Sequence, residues 1–147
     1  GYYLTQASKE FDKETRGKLT RIELHKNLTT EAGSQKNFDV VAYYEDFKTI
    51  DVMECKDRKT PIDETELNGY LEDIRQVDAM KKTFWNVDDF YLVSSGDFTP
   101  RALAVVRHKA GESGEWKWDK IMLGLTKNWI NIHLIAERDG KLKQVYP

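Results

Sequence analysis

Asp39 and the triplet Glu54-Cys55-Lys56 are the residues whose types and spacing suit chemistry. In an extended strand, side chains two apart share a face. Glu54 and Lys56 then project together, with Met53 and Cys55 on the other side. If the strand carrying Asp39 pairs with this one, its carboxylate reaches the same spot. Two carboxylates so placed bind a hard divalent cation, Mg²⁺ or Mn²⁺, through oxygen. Such an ion holds a phosphate oxygen, acidifies a bound water and stabilises charge on the leaving oxygen. A lysine beside it orients or helps deprotonate the attacking water and neutralises charge developing on phosphorus. The same Glu-x-Lys also serves as the solvated face of a strand with a weak exposed ion pair. In a chain this charged, an upstream acid arises readily by chance.

The elements around these residues are legible from pattern. Phe38 to Tyr44 is rich in β-branched and aromatic residues and predicts a strand, as does Thr49 to Lys56. The short Glu45–Lys48 connection predicts that they pair antiparallel. Upstream, Leu4, Ala7 and Phe11 at helical spacing predict a helix from about Tyr2 to Arg16, and Lys18 to Thr30 reads as extended. Glu31 to Asn37 is a polar turn. After a charged connection containing Pro61, Leu67, Tyr70, Leu71, Ile74, Val77 and Met80 recur at three- and four-residue steps and predict a long amphipathic helix. Phe90 to Ser94 reads as a third buried strand. Thr99 and Pro100 form the start of another helix, with Ala102, Leu103, Val105 and Val106 as its apolar face. Gly111 to Trp116 reads as a loop. Ile121 to Leu125, Trp129 to Ile135 and Lys141 to Tyr146 complete the chain, the last two as a hairpin turning at Asp139-Gly140.

Composition bounds the class. The chain has 147 residues, 39% hydrophobic, 33% charged and 12% aromatic, which fits one folded domain. The formal charge of -2 argues against a protein that binds nucleic acid by bulk charge; any such contact needs a local basic face or a metal. One cysteine, Cys55, permits no intramolecular disulfide and no thiolate zinc cage. With no signal-peptide pattern and no spanning apolar run, the expectation is a cytoplasmic setting without a membrane partner.

The order of these pieces resembles a family. Asp-Val-Val lies in one strand, followed by a hairpin, then Val-Met-Glu-Cys-Lys-Asp-Arg-Lys-Thr-Pro and a long helix. A later strand ends Leu-Val-Ser-Ser-Gly-Asp-Phe-Thr-Pro-Arg-Ala-Leu. From Phe38 to Ala110 this is similar to the PD-(D/E)xK, restriction-endonuclease-like nucleases, in particular Mrr-type restriction enzymes and Holliday-junction-resolvase-like nucleases. Those proteins have a strand ending Glu/Gln-Cys-Lys and a later Ser-x-Gly-Phe-Thr-x-x-Ala helix start. Here Asp97 is inserted between Gly96 and Phe98, and Phe38 stands where the usual proline precedes the first acid.

The resemblance implies an α/β fold, a restriction-endonuclease-like mixed β-sheet flanked by helices with a C-terminal β-hairpin extension. The core would run to about residue 110, with accessory strands over 111–147. It implies a Mg²⁺-dependent endonuclease acting on DNA, although nothing in the pattern excludes RNA. Asp39, Glu54 and the main-chain carbonyl of Cys55 would hold the metal, and Lys56 would be the catalytic lysine. Relatives often carry a further acid on the first helix, for which Glu10 and Glu14 are the candidates, Glu10 slightly preferred. Cutting both strands of a duplex takes two such centres, which is compatible with a homodimer.

Other residues weigh less. Arg58 and Lys59 suit phosphate contact or a solvated turn equally. Gln76 reads as solvent-facing. His25, His108 and His133 lack ligand spacing and read as structural. Trp116, Trp118 and Trp129 read as packing residues. Lys81, Lys82, Arg101, Arg107, Lys109, Lys117 and Lys120 form a basic patch only if they share a face. The rival functional readings are a catalytically silent nuclease-fold module for nucleic-acid binding or assembly, and an unrelated α+β interaction domain.

Overall fold

The computed structural model describes residues 19–30, 32–45, 48–78, 86–117 and 129–147. The first-helix expectation, with Glu10 and Glu14, lies outside the described residues, as does the segment Ile121 to Leu125.

Strand β1 (Leu19–Thr29) runs antiparallel to β2 (Gln35–Tyr44), which runs antiparallel to β3 (Thr49–Lys56). Helix α1 (Glu64–Asp78) then crosses to β4 (Asn86–Ser94), parallel to β3. Helix α2 (Pro100–Ala110) follows. It leads to β5 (Glu115–Lys117), β6 (Trp129–Arg138) and β7 (Lys141–Tyr146). Among the described residues the result is a mixed α/β architecture: a seven-stranded, mostly antiparallel sheet in the order β1-β2-β3-β4-β6-β5, with β7 paired to β6.

Both helices pack on one face. Leu67, Leu71, Ile74 and Val77 of α1 and Ala102, Val106 and Ala110 of α2 join Val41, Val52, Phe90, Leu92, Ile132 and Leu134 of the sheet in one buried cluster. The three-to-four spacing of the helical set and the two-residue spacing of the strand set are what make these faces apolar. Each large side chain so buried contributes about 2 kcal/mol. The opposite face carries a second buried cluster of Val40, Ala42, Tyr44, Met53, Tyr91, Val93 and Ile135. Both helix starts are capped. Asp63 Oδ1 accepts from the Glu66 N–H (2.9 Å), and Thr99 Oγ1 accepts from the Ala102 N–H (3.1 Å) ahead of Pro100.

The C-terminal strands are not an accessory extension to a core ending near residue 110, and that expectation is corrected here. Strand β6 pairs in parallel with β4 from Asp89↔Asn131 to Ser94↔Ala136, and Ile130, Ile132, Leu134 and Ala136 are fully buried. It is a central strand, and β5 and β7 both pair with it. The expected hairpin is present, with positive φ at Asp139 (54°) and Gly140 (75°) as a tight turn between twisted strands requires. The loop expected over Gly111 to Trp116 instead ends in β5, because Trp116 is buried in the core. Among the described residues no helix is long and apolar enough to cross a membrane.

Candidate active site

The pairing of β2 with β3 sets the site. Val40 faces Met53 across the ladder, so Asp39 and Glu54 stand at its next step. Met53 and Cys55 lie with the second cluster, so Glu54 and Lys56 project toward the helices, as the two-residue period requires. Asp39 alternates with Val41 and Tyr43 of the helix-side cluster and stands one step beyond the Val40↔Met53 pair, so its carboxylate projects to the same side as Glu54. The alternation breaks at Phe38, which belongs to the helix-side cluster although Val40, two residues on, belongs to the other. The ladder with β1 pairs Leu24↔Val40 and Lys26↔Phe38. Between them, opposite Asp39, His25 takes a left-handed φ of 52°.

Three groups therefore meet at one end of β3. Asp39 Oδ2 accepts from the Cys55 N–H at 2.8 Å, which fixes one carboxylate oxygen against the backbone of the Glu-x-Lys strand. The Glu54 carboxyl is pushed up to about 8. Burial is the largest cause, followed by its hydrogen bond to the Asp39 carboxylate and that group's charge; Lys56 only partly offsets them. His25 Nδ1 is 3.8 Å from Asp39 Oδ1 at the exposed side of the site. The Lys56 ammonium is held above its usual range, chiefly by a hydrogen bond to Tyr70 on α1. Cys55 faces the other cluster, and burial pushes its thiol up to about 12, which leaves it an unreactive packing group.

The Glu54 shift has a sign that can be measured. Its folded value lies above its ordinary 4.5, so between those values the folded protein keeps a proton that the unfolded chain releases. The metal-free protein is therefore expected to lose stability as pH rises from about 4.5 to 8, by at most about 1.4 kcal/mol per pH unit. Urea denaturation across that range checks it. Glu54→Gln should flatten the slope, and an equal slope in the variant would assign it to other groups.

A second structure holds the end of β3 in place. Ser95 follows β4, and its Oγ accepts from the Arg58 N–H (2.8 Å) and donates to the Arg58 carbonyl (2.9 Å). The Ser95 N–H donates to the Lys56 carbonyl (3.0 Å), and Ile62 and Phe98 form a parallel bridge. The Ser-Ser-Gly-Asp-Phe-Thr-Pro segment is thus the latch for the segment leaving Lys56. Asp97 adopts φ 68° and accepts two hydrogen bonds from Arg138 of β6, at 2.9 and 3.1 Å.

The structure does not gather every residue weighed in sequence. The Arg58 guanidinium is committed to Glu66 of α1, while Lys59 is exposed on the same loop. Gln76 bonds Glu72 on its own helix (3.2 Å). Of the basic patch, Arg101 and Lys109 line an open groove between the helices with Glu64 and His108. Lys117 pairs with Glu115 at 3.0 Å.

One cluster escaped the sequence reading. Asp51, Asp88 and Asp89 bring carboxylate oxygens within 4.8 Å of one another, on the face away from the helices for Asp51 and Asp89. His133, stacked on Tyr91 with centroids 4.4 Å apart, places Nε2 2.6 Å from Asp89 Oδ1. A bulge gathers the acids: Ile50 faces Val87 but Asp51 faces Asp89, so Asp88 is the extra residue. The signal available in sequence was Asp51 amid the apolar run of β3; its partners come from strands whose adjacency sequence does not reveal.

No family model matches the chain, and no curated protein matches it. Among solved structures it is similar to the crystal structure of AF1548, a protein of unknown function, with a TM-score of 0.53 and 10% identity. The match covers 71% of this chain and 52% of that one, so the chain spans about half the length of AF1548. At that identity the likeness concerns the fold alone.

Proposed function

We propose that this chain is a metal-dependent endonuclease of the restriction-endonuclease-like fold, hydrolysing phosphodiester bonds in DNA. The observation that carries the reading is the convergence of the Asp39 and Glu54 carboxylates with Lys56 at one end of β3. Two carboxyls sharing a half-buried space, one of them driven to hold its proton, form a donor set that a hard divalent cation would satisfy. Asp39, Glu54 and the Cys55 carbonyl would hold Mg²⁺ or Mn²⁺. When bound, that ion supplies Lewis acidity toward a phosphate oxygen and a water of lowered pKa. The chain's own groups do the rest. Asp39, anchored by the Cys55 N–H, fixes the direction of approach. Lys56 donates to the attacking water or to the charge growing on phosphorus.

The test is incubation of supercoiled plasmid and of single-stranded DNA with Mg²⁺ or Mn²⁺, with EDTA and Glu54→Ala as controls. Metal-dependent nicking that disappears in both controls is the expected result. DNA binding without cleavage by the parent protein would instead favour a silent binding module on the same fold.

A further inference from the structure

Lys56 does not extend freely from the end of β3. Its ammonium lies 5.6 Å from the centroid of the Tyr70 ring, and the Tyr70 hydroxyl is the largest of the influences that hold it above its usual range. Tyr70 stands one helical turn beyond Glu66, and its hydroxyl donates toward Glu66 Oε2 at 3.5 Å. The other oxygen of Glu66 is taken by Arg58. A phenolic oxygen can accept from an ammonium while its hydrogen is donated elsewhere, so the Tyr70 hydroxyl can face Lys56 with a lone pair while it donates toward Glu66. The helix beneath it is fixed, since Leu67, Leu71 and Ile74 of α1 are fully or almost fully buried. Pairing Arg58 with Glu66 also keeps the neighbouring guanidinium occupied, away from Asp39 and Glu54.

A lysine carries its charge on a flexible four-carbon stem and loses much freedom when held in one geometry. A group that must meet an attacking water gains from being held beforehand. We propose that Tyr70 is a positioning residue for Lys56, holding its ammonium at the sheet end beside Asp39 and Glu54. The proposal rests on the nuclease reading above. Tyr70 acts through Lys56 and touches neither the scissile bond nor a metal.

Tyr70→Phe keeps the ring and its packing and removes only the hydroxyl. Metal-dependent cleavage should fall about tenfold in kcat, with KM for DNA and calorimetric Mn²⁺ affinity unchanged. In the metal-free protein, the ¹⁵N signal of the Lys56 ammonium, assigned with Lys56→Arg, should shift and exchange faster with water. Tyr70→Leu, which also removes the ring, should lower kcat further. A merely structural tyrosine would change stability without moving the ammonium signal or separating kcat from KM. An unaltered Lys56 signal in Tyr70→Phe, or an unaltered kcat, overturns the proposal. A parent protein that cleaves neither substrate, with the Lys56 signal still shifted in Tyr70→Phe, overturns the nuclease reading while upholding the contact.

Discussion

Lys56→Ala should lower metal-dependent DNA cleavage by about three orders of magnitude while leaving the fold and metal binding in place. The size follows from what is lost. A preorganised cationic donor aimed at charge that develops in the transition state is commonly worth ~10²–10³ in rate, and the loss deepens where the same group also helps the nucleophile. The fold should survive because the Lys56 side chain is only partly buried, and its contribution to the latch is a main-chain carbonyl that accepts from Ser95. Metal binding should survive because Asp39, Glu54 and the Cys55 carbonyl remain. Plasmid nicking at saturating Mn²⁺, beside calorimetric titration of Mn²⁺ into the variant, separates these claims. A variant that cuts at the parental rate removes the lysine from the mechanism. One that neither cuts nor binds Mn²⁺ makes Lys56 a structural partner of the carboxylates.

Gly96→Ala is expected to cost about 3 kcal/mol of stability, more than most surface substitutions, for a reason confined to a few atoms. A Cβ built at Gly96 would lie 2.5 Å from the Thr60 carbonyl oxygen and 2.7 Å from that of Arg58. Both are backbone atoms, so neither can swing aside as the tip of a flexible side chain could. The loop after β4 and the loop after β3 would have to separate, and the Ser95 bonds to Arg58 lie directly beside the clash. Chemical denaturation of the metal-free protein measures the effect. Stability equal to the parent would mean the two loops pass with more room than the geometry shows.

Much of the helix-side architecture was legible because it is local. The alternation of Phe38 to Tyr44 and Thr49 to Lys56, joined by a short connection, makes an antiparallel pair nearly unavoidable. That pair alone brings Asp39 to the Glu-x-Lys strand. The α1 stripe and the Thr99-Pro100 cap are likewise properties of short windows. Pattern could not reveal which strand lies beside which once helices intervene. Nothing in Trp129 to Arg138 marks it as the neighbour of β4 rather than an added hairpin, because a buried parallel strand and a peripheral one read alike. The Asp51, Asp88, Asp89 and His133 grouping was hidden for the same reason, since three separate strands and a bulge assemble it. The left-handed His25 opposite Asp39 was hidden too: histidine tolerates that conformation without demanding it.

The central place of β6 also bears on how the chain reaches this state during synthesis. As the ribosome delivers residues in order, β1 to β4 and both described helices emerge before Trp129. Until β6 arrives, β4 presents its hydrogen-bonding groups from Asp89 to Ser94 as an unpaired edge, flanked by the apolar Phe90, Leu92 and Val93. An edge of that kind invites pairing with another nascent copy. The nascent sheet is therefore most exposed to misassembly in the interval before Trp129–Arg138 leaves the tunnel, and the Asp97–Arg138 pair closes only when that interval ends.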